Sequence, residues 1–169
     1  MHHLTKLGHT KLGFIAGPEQ IIDAVERTEA FQNIRATLGL PWKKDWIQPG
    51  EFSYGAGRAA AHRILSLPEP PTAIIAANDA SALGACEAIR AYGMTPGQEI
   101  SVAGIDGQDI AAEAEPAITT VTQPLEEMGE RAAVILLKQI EGKKISDADR
   151  KTVFQGQLIA RPSTGPAPK

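Results

Sequence analysis

Asp23, Arg27, Phe52, Asn78 and Asp106 are the residues of this sequence whose types and placement could bind a small molecule. In open α/β sheets, ligands sit outside the carboxyl ends of the strands. Gly17-Pro18 closes the β-type run "LGFIA" (12–16), and the helical pattern after it carries Asp23 and Arg27 in its early turns. "PGEFSY" follows "DWIQ" (45–48) and brings Phe52 to a strand end. Asn78-Asp79 follows "AIIAA" (73–77), and Asp106 ends "ISVAGI" (100–105). Carboxylates and an amide pair with hydroxyls, a guanidinium offers a planar fork, and an aromatic ring packs on the apolar face of a sugar or base. The set therefore suits a polyhydroxylated ligand. Plainer readings stand beside it: Asp79 as a helix N-cap, Arg27 as a solvated helix residue, Phe52 as core. Asp106 resists such a reading, because a carboxylate at a buried strand end needs a partner.

The elements that must position these residues can be read from hydrophobic periodicity. Two further β-type runs, "ITTVT" (118–122) and "TVFQGQLIA" (152–160), bring the number of strands to six. Helical spacing predicts helices near 20–38, 54–67, 79–92 and 125–141, with Gly39, Gly93 and Gly142 at C-cap positions. Strand–helix alternation predicts an α/β fold, a parallel sheet with helices on both faces. "AIIAA" and "ISVAGI" are apolar on both sides, as central parallel strands are. "GPAPK" at the end reads as a loose tail.

Composition narrows the function classes. The chain has 169 residues and a net charge of -3, with no basic footprint for nucleic acid. Cys86 is the single cysteine, which predicts a reducing, cytoplasmic setting. No apolar stretch approaches the ~18 residues of a membrane span. No His/Cys/Asp cluster has ligand spacing, so neither a metal site nor a cofactor is expected. One enzyme reading competes: "GAGRAA" (55–60) fits G-x-G-x-x-A, with Asp79 further on, as in an NAD-type dinucleotide-binding domain. The polar, Pro49-containing segment before it is a poor buried strand, and the glycines read better as small residues at a helix start. Ser53 lacks a nucleophile elbow, and His9 reads as a structural hydrogen-bonding residue at a helix end, so no catalytic residue is assigned.

In order along the chain, "LGHTKLGFIAG", "ERTEAF", "PTAIIAANDASALGACEAIRAYGMTPGQEISVAGIDG", "AITTVTQPLEEMGERAAVILLKQIEG" and "LIARPST" resemble successive segments of the LacI/GalR family of bacterial repressors. The resemblance implies a periplasmic-binding-protein-like type I fold of two α/β lobes around a cleft. It implies that residues 1–17 and 121–145 are a remnant of the N-terminal lobe, that 18–120 and 146–163 form the C-terminal lobe, and that 164–169 is a tail. Arg27, Asn78 and Asp106 fall on effector-binding positions, Asp23 and Ile21 on cleft-lining positions, and Phe52 where an aromatic stacks on the ligand. Ala80, Leu83 and Ile110 fall on the family's dimer interface, which implies a homodimer. The resemblance also implies a small-molecule effector, such as a sugar, and operator DNA as the partner of an intact parent regulator. The helix-turn-helix and the first part of the N-terminal lobe have no counterpart here, so no nucleic-acid contact is expected of this chain itself. A sugar-binding protein of the same fold is the remaining alternative.

Overall fold

The computed structural model describes all 169 residues. Short helix α1 (His2–Lys6) leads into β1 (Leu12–Ala16), followed by α2 (Ile22–Thr37), β2 (Ile47–Pro49), α3 (Tyr54–Leu65) and β3 (Ala73–Ala76). Then come α4 (Asp79–Ala91), β4 (Ser101–Asp106), α5 (Asp109–Glu113), β5 (Thr119–Thr122), α6 (Leu125–Ile140), α7 (Asp147–Arg150) and β6 (Leu158–Ile159). The strands form one sheet in the order β2-β1-β3-β4-β5-β6, parallel throughout except for the antiparallel β5–β6 pair. Consecutive residues of β3 serve opposite faces: Ile74 and Ala76 pack with α3 and α4, whereas Ala73 and Ile75 pack with Leu4, Phe14 and Phe31. Phe14 and Phe31 stack with ring centres 4.8 Å apart and seat α2 on β1.

Helices α3 and α4 touch backbone to backbone. A Cβ on Gly57 would come within 2.5 Å of Ser81 Cα, and one on Gly84 within 2.6 Å of the Arg58 nitrogen. Gly57 is thus required for helix packing, which accounts for the glycine of the dinucleotide-like motif without a phosphate. Cys86 is buried beside this contact, and burial pushes its thiol up to about 12, which leaves it inert.

All six expected strands exist, with two changes of extent. Residues 44–46 coil into a 3-10 turn that buries Trp46, whose indole N–H donates to the Glu69 carbonyl at 3.1 Å, so β2 starts at Ile47. The run 152–160 shrinks to Leu158–Ile159, paired with Val121 and Thr120. Its first half pairs with no strand, because the chain leaves β5 at Thr122 for Pro124 and α6.

The lobe boundary placed at residue 17 is corrected. β1 is an inner strand between β2 and β3, and Leu4 of α1 is buried against it, so residues 1–17 belong to this sheet and not to a remnant of another lobe. The C-terminus is not a loose tail either. Ala167 N–H donates to the Leu7 carbonyl at 2.8 Å, and Gly165 N–H to the Ser101 hydroxyl at 3.0 Å. Buried His9 donates from Nε2 to the Gly165 carbonyl at 3.0 Å, while its Nδ1 meets the Thr72 hydroxyl at 2.9 Å. Helix α6 differs from all others of its length: no residue of it is buried, and Leu125, Leu136, Leu137 and Ile140 are exposed. It is tethered through Asp149, which accepts from Arg131 at 2.5 Å and Lys138 at 3.3 Å.

Candidate functional site

A hollow of about 410 Å³ opens at the carboxyl ends of the strands, lined by Asp23, Arg27, Phe52, Asn78, Asp106, Gly107, Gln108, Gln123 and Leu125. All five residues expected from the sequence are there. Ile21, expected to line the cleft, does not; it is the half-exposed N-cap of α2.

Asp106 is the centre of the arrangement. It is the last residue of β4, and its Oδ1 accepts from Arg27 Nη2 at 3.0 Å and from Gln123 Nε2 at 2.6 Å. Its φ of 117° is a left-handed backbone that costs a non-glycine residue on the order of 1–3 kcal/mol. Gly107 follows with φ 75°, so two unusual residues turn the chain sharply as it leaves the sheet. Arg27 also donates to the Ala77 carbonyl at the end of the neighbouring strand and lies 5.5 Å from the Phe52 ring centre. Phe52 and Glu51 have positive φ values as well, 52° and 53°, so strained backbone gathers around this hollow. Asp23 is exposed on the first turn of α2, which leaves its carboxylate available to a ligand.

Asn78, and not Asp79, caps α4. Its Oδ1 accepts from Ser81 N–H at 2.9 Å, while its Nδ2 donates to the Phe52 carbonyl at 2.9 Å and fixes the loop that presents the ring. Asp79 instead turns inward and is fully buried. Burial holds its carboxyl above the usual carboxylate range, with the hydrogen bonds from Thr120, Gln108 and Gly107 acting in the opposite direction.

Gln108 and Gln123 were not singled out from sequence. Gln123 directly follows β5, so the strand-end rule carried on to the fifth strand would have found it. Gln108 gave no such signal, since it reaches the hollow through the turn at Gly107. A larger hollow of about 610 Å³ lies across α2, lined by Val25, Trp42 and Ile47 among others. The convergent carboxylates, guanidinium and carboxamides belong to the smaller one. Its two carboxylates, one guanidinium and three carboxamides present donors and acceptors side by side, which suits hydroxyl groups.

Residues 1–164 match the periplasmic binding protein-like domain, and the chain belongs to that family. Its similar relatives are LacI-family transcriptional regulators. It is 32% identical over 168 residues to the repressor CytR of Escherichia coli, covering 99% of this chain and 49% of that protein. It is 33% identical over 164 residues to the repressor PurR of Aliivibrio fischeri, covering 95% and 48%. The chain thus spans about half the length of these curated relatives. Among solved structures, a dimeric Lac repressor with an 11-residue C-terminal deletion superposes with TM-score 0.91 at 26% identity, over 99% of this chain and 60% of that one. The regulator CelR in complex with cellobiose superposes with TM-score 0.88 at 31% identity, over 95% and 49%.

Proposed function

We propose that this chain is the greater part of the effector-binding region of a cytoplasmic bacterial transcription regulator, and that its effector is a sugar or similarly hydroxylated small molecule. It has no catalytic role in this reading. The observation that carries it is the Asp106 carboxylate, held by Arg27 and Gln123 at the strand ends beside the Phe52 ring. Asp23 supplies a second acceptor, and Phe52 supplies the apolar face on which a sugar ring packs. The sugar named with CelR supports this ligand class.

Two further partners follow from the same reading. The exposed apolar residues of α6 are the face by which it would join a second lobe that closes over the hollow. Ala80 and Leu83 of α4, both partly buried, and half-exposed Ile110 of α5 would form a self-complementary dimer face. DNA contact belongs to other parts of the intact regulator, since this acidic chain offers phosphates no cationic surface.

Calorimetric titration with D-ribose, D-galactose and cellobiose tests the effector reading. One of these is expected to bind, and Asp106→Asn should weaken it by about 10- to 100-fold, the worth of a charge-assisted hydrogen bond. Binding that survives both Asp106→Asn and Phe52→Ala unchanged would move the ligand elsewhere.

A further inference from the structure

Asp79 is the most deeply buried carboxylate of the chain, and neither the hollow nor the cap of α4 uses it. Its oxygens have well-defined partners. Oδ2 accepts from the Gln108 N–H at 2.8 Å, and Oδ1 accepts from the Thr120 hydroxyl at 2.6 Å. That same hydroxyl accepts from the Gly107 N–H at 3.3 Å. Asp79 therefore meets, directly and through Thr120, the two amides that follow Asp106. Gly104 makes room for the carboxylate, since a Cβ there would collide with Oδ1.

We propose that Asp79 is a positioning residue that fixes the ligand-facing carboxylate of Asp106, by holding the Gly107 and Gln108 amides of the strained turn after it. The proposal rests on the effector reading for what that carboxylate contacts. The chemistry explains the choice of side chain. Left-handed backbone at Asp106 and Gly107 relaxes unless its surroundings over-determine it. The N–H groups of the turn point at the buried Asp79 carboxylate and Thr120 hydroxyl, and a donor that loses such a partner is costly. A carboxylate accepts at both oxygens at once. Asparagine keeps one acceptor, and alanine keeps none. Leaving a carboxylate in an interior that disfavours its charge is otherwise unexplained.

The test compares the full chain with Asp79→Asn and Asp79→Ala by amide hydrogen exchange and by titration with D-ribose, D-galactose and cellobiose. In Asp79→Ala the Gly107 and Gln108 amides should exchange about tenfold faster than any change at Ile74 and Val102, whose exchange reports global opening. Affinity should fall by about tenfold or more, although Arg27, Phe52 and Asp106 are all retained. Asp79→Asn should restore part of both. If Asp79→Ala does not fold, Thr120→Val removes the bridging hydroxyl at nearly constant shape and should loosen Gly107 selectively. Exchange at Gly107 and Gln108 that only tracks the core strands would overturn the proposal, as would unchanged affinity in the alanine variant. Should no sugar bind the wild type, the effector reading fails, and the exchange measurement alone decides whether Asp79 holds the turn.

Discussion

The pairing of Arg27 with Asp106 can be measured as a coupling energy. Both side chains are about one-fifth exposed, 20% and 19%, so solvent screens the pair only in part. A hydrogen bond to a charged group contributes about 1.5–3 kcal/mol, and the residual exposure trims it, so a coupling of about 1–2 kcal/mol is expected. Arg27→Met keeps the stem but loses the Asp106 contact, the bond to the Ala77 carbonyl and the approach to Phe52. Its own cost should be about 1–3 kcal/mol, because Asp106 retains Gln123 as a partner. For a domain of this size each kcal/mol moves Tm by about 2–4 °C, so a fall of about 2–12 °C follows. The assay is urea unfolding of wild type, Arg27→Met, Asp106→Asn and the double variant. It is repeated at about 1 M salt, where a fully exposed pair would vanish and this one should persist in part. A coupling below about 0.3 kcal/mol, the range of distant additive sites, would refute the reasoning.

Gly84→Ala should destabilise the chain by about 1–3 kcal/mol by forcing α3 from α4, seen as a lower urea midpoint with an unchanged slope. Burial lowers the affinity of His9 for a proton below the ordinary imidazole value of 6.5, so the unfolded chain protonates first. The stability it contributes is complete above pH 6.5 and is lost as pH falls below that value, and His9→Gln should flatten this part of the stability–pH curve. Ile110→Glu, at a half-exposed position, should turn a dimer into a monomer in sedimentation without lowering Tm, and Leu83→Glu should do so at some cost in stability. An unchanged oligomer in both would remove α4 and α5 from the interface.

The positions of the helices and inner strands were legible because their apolar residues recur at the right periods and glycines punctuate their ends. Gly39, Gly93 and Gly142 all take positive φ after α2, α4 and α6. That Asp23, Arg27, Phe52, Asn78 and Asp106 line one hollow was legible from a rule about where strands end. What could not be read depended on choices between neighbours or on distant pairings. Asn78 and Asp79 are equally good caps in sequence, and which one caps is decided by Thr120 and Gln108, far along the chain, claiming the aspartate. The run 152–160 has strand-like residues throughout, but β5 ends too soon to pair with most of them. "GPAPK" has the composition of a free end, and only the groups waiting at Leu7, His9 and Ser101 make it structural.

That last contact bears on how the chain may be cut and rejoined. With the Ala167 amide 2.8 Å from the Leu7 carbonyl, both ends lie on one patch at the amino edge of the sheet. A bridge of a few flexible residues could connect them, and the entropy of closing so short a loop is small. The exposed Gly93 turn between α4 and β4 is a natural place to open the joined chain. A circular permutant opened at that turn would leave β4 to start the chain and α4 to end it, while the strand order and the strand-end residues stay as they are.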